Sequence, residues 1–213
     1  MLLTNDPVLQ PSVTVGLGGL SLSVWGSFDV TDVNENDNTE YALQELDYTL
    51  SYDMTLEDMV KVGVGFIEYV FPGNGNGSSN AERTSEVYAS VGLDVMLEPT
   101  LTVYWDFDEA DGFYATLGIA HTFELTEALG LTLGGKLGWG DRNYHEFYVG
   151  NDTNGLSDYN VSASLDYAVN DNISLSVVMI YSDFVDTHIA DAAEQNYQHN
   201  QNIYGGVVFG LSF

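Results

Sequence analysis

Two carboxylates two residues apart, Asp106 and Asp108, stand on one face of the alternating segment from Leu101 to Asp108. Such a pair can run acid–base chemistry when one member holds its proton near neutral pH. The four histidines are His121, His145, His188 and His199. Three fall in expected loops and His121 is phased onto an apolar face, so no nucleophile, base and orienting group come into register. The expectation is a protein that is not an enzyme; a catalytic alternative would need a pocket bringing Asp106 or Asp108 to His145 or His188. The segment Asp32-Val-Asn-Glu-Asn-Asp-Asn-Thr-Glu40 places oxygen ligands at Asp32, Asn34 and Asn36, the spacing of half a calcium loop. It lacks the turn glycine, and the twelfth position from Asp32 is Leu43 instead of a bidentate Glu. Calcium bound by that loop is the one metal to consider, against a plain hydrated loop, and no other cofactor is expected. Cysteine is absent, which removes disulfides, thiolate metal sites and cysteine nucleophiles.

The remaining candidates are charges that share a polar face. Asp29, Glu45, Asp47, Asp94, Asp106, Asp108 and Asp166 are phased together, and the only bases in that phase are Lys61 and Lys136. The whole chain carries 4 Lys plus Arg against 32 Asp plus Glu, a formal net charge of -28. A surface so acidic repels nucleic acid and anionic phospholipid and attracts cations. If the seven carboxylates line a channel, the channel favours cations. Register counting places Lys61 opposite Asp94, where an ion pair is expected.

These residues need a scaffold, and the scaffold is a strand repeated. From Leu20 to Val30, Leu20, Leu22, Val24, Phe28 and Val30 fall on one face, with Ser21, Ser23, Ser27 and Asp29 on the other. Period two of this kind makes a strand with one apolar side. It returns near Val87–Val95, Leu101–Asp108, Leu129–Trp139, Val161–Val169, Ile173–Tyr181 and Ile203–Phe213, for about eleven segments of roughly the ten residues a tilted membrane strand needs. No run of about 18 apolar residues occurs, so a membrane-spanning helix is not expected. The polar face holds Ser, Thr, Gly, Tyr and Asp with almost no Lys, unlike the Lys- and Glu-rich face of a soluble sheet. The fold expected is all-β, an antiparallel up-and-down transmembrane β-barrel with the aliphatic face toward lipid and the polar face toward the lumen.

Connections alternate short and long. Gly18-Gly19, Thr55–Asp58, Glu98-Pro99, Thr126–Ala128 and Asn170–Asn172 read as tight turns, and residues 31–40, 71–84, 140–156 and 185–200 as long polar loops. In outer-membrane barrels the short turns face the periplasm. Outward aromatics then sort to two belts, Phe28, Phe66, Trp105, Phe107, Phe113, Trp139, Tyr159 and Tyr181 at loop ends and Tyr52, Phe123, Tyr167 and Phe213 at turn ends. Residues 1–213 form one domain, with 1–10 as residual extracellular loop and 11–213 as strands. Val207, Phe209, Leu211 and the terminal Phe213 share a face, which resembles the C-terminal signal handing bacterial barrels to their assembly machinery. About eleven strands are visible of a twelve-strand design, because barrels of this type have an even count; the first strand and the secretion signal are expected upstream of Met1.

The segment Pro7-Val-Leu-Gln-Pro-Ser-Val-Thr-Val-Gly-Leu-Gly-Gly-Leu-Ser-Leu-Ser-Val-Trp-Gly-Ser-Phe-Asp resembles the opening of a poorly characterised family of small bacterial outer-membrane barrels, described as conserved hypothetical or porin-like. Glu45-Leu-Asp-Tyr-Thr-Leu-Ser-Tyr and Leu101-Thr-Val-Tyr-Trp-Asp-Phe-Asp are similar to it as well. In that family a strand ending in an aromatic-Arg-Gly motif comes first, which this sequence lacks. The resemblance implies a fold and a place, the bacterial outer membrane, and brings no activity. The expected function is a small passive pore for cations or small polar solutes. The alternative is a structural or adhesive barrel, plugged by its own side chains, whose acidic loops bind cations. The partners expected are outer-membrane lipid and lipopolysaccharide and the barrel-assembly machinery, with no nucleic acid.

Overall fold

A computed structural model describes residues 7–30, 42–72, 82–197 and 201–213. The alternating segments become one twelve-stranded antiparallel sheet in which β1 and β2 both pair with β3 and every later strand pairs with the strand before it. In chain order the strands are β1 (Val8–Leu9), β2 (Ser12–Leu17), β3 (Leu20–Asp29), β4 (Leu43–Leu56), β5 (Val60–Phe71), β6 (Glu82–Leu93), β7 (Thr100–Asp106), β8 (Gly112–Thr126), β9 (Leu129–Gly140), β10 (Gly155–Asn170), β11 (Ile173–Phe184) and β12 (Gln201–Leu211). Two helices interrupt the series, α1 (Arg142–Val149) before β10 and α2 (Thr187–Tyr197) before β12. Neither is long and apolar enough to cross a membrane.

β1 and β2 are two pieces of one strand. Val8 pairs with Asp29 and Ser12 with Trp25, so both keep the same register on β3. The break falls at Pro11, whose ring lacks the N–H that would point at β3, although its carbonyl still accepts from Gly26 N at 3.1 Å. Pairing therefore starts at Val8, ahead of the expected boundary at Pro11. Counted this way, eleven strands lie side by side, and among the described residues no pairing joins the first to the last. The sheet is open.

The turn ends show why the register holds. Gly18 and Gly19 both have positive φ, 60° and 88°, and so do Glu57 and Asp58, at 50° and 53°. Two left-handed residues in a row match the twist of a hairpin, and glycine adopts them without strain. At the loop ends, two segments expected as loop fold as α1 and α2. Asp141 caps α1 by accepting from Tyr144 N at 2.9 Å, and Gly150 ends it at φ 75°.

The two faces of the sheet differ as the alternation requires. Large apolar side chains are exposed along one face of strand after strand, including Leu22, Leu50, Val64, Leu101, Leu117, Leu133, Val161 and Val177. Among the described residues the buried apolar ones are only Ala110 and three on the helices, Val149, Ile189 and Ala193, the last three packed with Tyr148 and Phe184. No apolar core underlies the sheet among the described residues.

Candidate functional site

The polar face gathers its chemistry at the loop end. Asp106 ends β7 almost wholly buried, and four donors converge on it: Thr84 Oγ1 at 2.7 Å and Tyr148 Oη at 2.9 Å on one oxygen, Asp108 N at 3.1 Å and Ala110 N at 3.3 Å on the other. Tyr69 donates to Glu86 at 3.0 Å, and Tyr114 donates to Asp158 at 2.7 Å. A run of rings connects these pairs. Tyr88, Tyr104 and Tyr114 follow one another across β6, β7 and β8 at 5.7 and 6.2 Å between centroids. Tyr144 of α1 then stacks on Tyr114 at 4.7 Å and 14°, and Tyr148 lies 4.6 Å further on.

Helix α1 is thus laid against the polar face through tyrosines. Its approach depends on Gly112, because a Cβ there would strike the Tyr144 backbone. Gly138 has the same role for the Tyr114–Asp158 bond, since a methyl there would overlap the Tyr114 hydroxyl and the Asp158 carboxylate. Burial first, and then the Asp106 charge and hydrogen bond, push the Tyr148 hydroxyl above the usual tyrosine range. His145 is fully buried against Gly140, with Nδ1 at 2.6 Å from the Thr153 carbonyl oxygen. Asp106 therefore meets Tyr148 and Thr84, and the histidine of the same helix turns to the backbone.

Of the residues singled out from sequence, Asp29, Glu45, Asp47 and Asp106 share the loop-end half of the polar face. Asp29 is 2% exposed and accepts from Gln44 Nε2 at 3.4 Å. Asp47 pairs across strands with Trp25 and Tyr69. Asp166 lies at the turn end, accepting from Ser164 at 2.7 Å and Thr132 at 3.2 Å. Lys136 sits between Gly118 and Asn160 on β9 and is exposed. Lys61 is 3.5 Å from Asp94 and 3.6 Å from Glu98, so the expected pair is present, at the turn-end rim.

Two expectations change. Asp94 is not a wall residue, because β6 ends at Leu93 and Asp94 begins the turn. Asp108 does not share a face with Asp106, because β7 ends at Asp106 and Asp108 is exposed in the connection, its backbone N–H serving Asp106 instead. Three carboxylates beyond those named enter the picture, Glu86, Asp158 and the rim residue Glu98. The first two were reachable from sequence, since Glu86 is in phase with Tyr88 and Asp158 with Ser162; both lie beyond the strand limits drawn from the apolar residues. The calcium ligands Asp32, Asn34 and Asn36 lie outside the described residues. Val207, Phe209, Leu211 and Phe213 share one highly exposed face of β12 and its end.

A family model described as "Bacterial protein of unknown function (Gcw_chp)" matches residues 2–207. The chain belongs to this family. No curated protein matches it. In this Gcw_chp member the loop-end arrangement is a lattice of tyrosines and carboxylates holding a helix against the polar face. Among the described residues no three His, Cys, Asp or Glu side chains are grouped to hold a metal ion. The lattice can hold protons between phenols and carboxylates, and it presents negative charge to anything reaching it. The basic residues nearest in phase, Lys61 and Lys136, belong to other parts of the face.

Proposed function

We propose that this chain spans a bacterial outer membrane as a β-barrel wall and that its acidic face carries cations or small polar solutes. The observation that carries the reading is where the apolar side chains are. A sheet in water buries its apolar face, whereas here that face is exposed on every strand and, among the described residues, the buried apolar set is confined to Ala110 and the helices. Such a surface finds its complement in hydrocarbon. Strands of 10 to 16 residues from β3 to β6 and β8 to β12 reach or exceed the roughly 9–11 residues that cross a bilayer when tilted.

Aromatics at the strand ends support it further. Phe66, Phe107, Trp105 and Phe113 form a contiguous outer group, with centroids 5.8 to 6.3 Å apart, at the loop end. Tyr52, Phe123 and Tyr167 stand exposed at the turn end. These are the belts expected at two membrane interfaces. The partners follow from the reading: outer-membrane lipid around the apolar face, lipopolysaccharide at the loop end, and the assembly machinery at the β12 face of Val207, Phe209, Leu211 and Phe213.

The second reading, a barrel plugged by its own side chains, is favoured by one observation. The tyrosine–carboxylate lattice and α1 occupy the loop end of the polar face, where a solute would have to pass. Single-channel recording in a planar bilayer under a salt gradient decides between them. The pore predicts discrete steps and a reversal potential on the cation side. Silent, fully inserted protein supports the plug, and anion preference removes the argument from carboxylates.

A further inference from the structure

Helices α1 and α2 are joined to one side of the sheet only. The chain ties α1 to β9 and β10 and α2 to β11 and β12, so no covalent link runs from either helix to β6, β7 or β8. The helices nevertheless reach over those strands. Tyr148 Oη donates to Asp106 at the end of β7, Tyr144 stacks on Tyr114 of β8, and Asn143 Nδ2 donates at 2.7 Å to the Asp111 carbonyl between those two strands.

On the attached side, Val149, Ile189 and Ala193 pack together and against Tyr148 and Phe184, the last residue of β11. Contacts therefore run from Asp106 on β7 through Tyr148 and this cluster to Phe184 on β11. The two strands lie four places apart in the sheet, ~19 Å at ~4.8 Å per strand. Two helices side by side are ~20 Å wide. The pair thus covers the loop end of the polar face over that width, and burial follows it. Thr84, Glu86 and Asp106 are buried at the loop end, while Asp53, Thr55 and Lys61 at the turn end of the same face are exposed.

The bonds that hold the pair together are internal to it. Besides the apolar cluster, His145 Nδ1 donates to the Thr153 carbonyl at 2.6 Å and Asn151 Nδ2 to the His188 carbonyl at 3.1 Å. The contacts with β7 and β8 are of another kind, hydrogen bonds and ring stacking. Beneath α1 the floor is glycine, with the Tyr144 backbone over Gly112 and the His145 ring over Gly140. A helix resting on glycine can lift without unthreading a side chain from the sheet. Gly140, Gly150 and Gly155 bracket α1, and glycine absorbs the φ and ψ changes of a hinge at least cost.

We propose that α1 and α2 form a lid, hinged on β9–β12 and latched to β7 and β8 at Asp106, Asp111 and Tyr114, whose release admits solute to the loop end of the polar face. This rests on the reading of that face as a conducting path and gives the path a regulated mouth. Closed and open lids are two states of one equilibrium, and the latch contacts bias it toward the closed one.

The chain has no cysteine, so an introduced pair is unique. Asp111→Cys with Asn143→Cys puts a thiol on each side of the latch, and a short bifunctional methanethiosulfonate joins them reversibly. Current across a planar bilayer is compared for the linked protein, the same protein after reduction, and Tyr148→Phe. Linking should abolish the current and reduction restore it. Tyr148→Phe should raise the mean current about tenfold, the weight of one hydrogen bond to a charged group on the open–closed equilibrium. Equal current in the linked and reduced forms overturns the lid and leaves the pore reading standing. Current unchanged or lowered in Tyr148→Phe overturns the latch at Asp106. If Tyr148→Phe does not fold, the linked and reduced forms, compared within one folded sample, decide alone. Silence from all three, with tryptophan fluorescence quenched by brominated lipid to prove insertion, removes the pore reading and the lid with it.

Discussion

Replacing Asp106 by Ala should release helix α1 while leaving the sheet intact. Asp106 is 1% exposed, and its carboxylate is the shared acceptor for two hydroxyls and two backbone N–H groups. Hydrogen bonds to a charged group contribute about 1.5–3 kcal/mol each. The two N–H groups lie in a connection where Asp108 is exposed, so they rehydrate, and the net loss is closer to two bonds than to four. The result is about 3–5 kcal/mol of local stability. At 1.4 kcal/mol per tenfold, amide exchange in 107–111 and 142–149 should accelerate by about 10² to several times 10³. Asp106→Asn keeps the shape, and the Thr84 and Tyr148 hydroxyls can rotate to accept from its amide, so the loss should be about 1 kcal/mol. Hydrogen–deuterium exchange read by mass spectrometry in micelles measures both, with β10 and β11 as internal reference. Unchanged protection of 142–149 in the Ala variant, or equal acceleration everywhere, would refute the idea that Asp106 anchors the helix.

Three further outcomes are expected. Lys61→Ala should cost less than about 1 kcal/mol in urea unfolding, because Lys61 and Asp94 side chains are 50 and 52% exposed and such pairs contribute little; a larger loss would mean the rim pair holds the hairpin. Gly138→Ala should cost about 1–3 kcal/mol by driving the Tyr114 hydroxyl from Asp158, and Tyr114→Phe added to it should recover part of that loss in the same assay. Tyr148 has its ionisation raised on folding, so the stability it adds is complete below about pH 10, the unfolded tyrosine value, and is lost as pH climbs above that toward the folded one. Near-ultraviolet dichroism titrated from pH 8 to 12 should show this loss in the native chain and not in Tyr148→Phe, and identical curves would count against it.

Much of this protein can be read from period two alone. Strand positions, their order and the identity of the apolar face follow from alternation, because a one-residue slip would carry every side chain to the wrong face. For that reason Leu129–Trp139 is legible to within one residue and Ile173–Tyr181 to within three. The turn signals at Gly18-Gly19 and Asn170–Asn172 fix which strands are neighbours. Even the Lys61–Asp94 contact follows from counting along a hairpin, where register is a local quantity.

What lay beyond the sequence depends on contacts between residues far apart in the chain. Asp141 and Gly150 bracket α1 with ordinary cap signals, yet the polar segment between them has no reason to be helical except that Tyr144 finds Tyr114 and Tyr148 finds Asp106. Asp108 looks like the twin of Asp106 by spacing, and only the end of β7 separates them. The four-way convergence on Asp106 joins Thr84, Tyr148 and two backbone groups, an arrangement no local pattern encodes. Sequence determined the strands and their faces because alternation is a property of neighbours. Tertiary structure decided which carboxylates are clasped by tyrosines, and which strands α1 reaches across to, because packing exists only once the strands stand side by side.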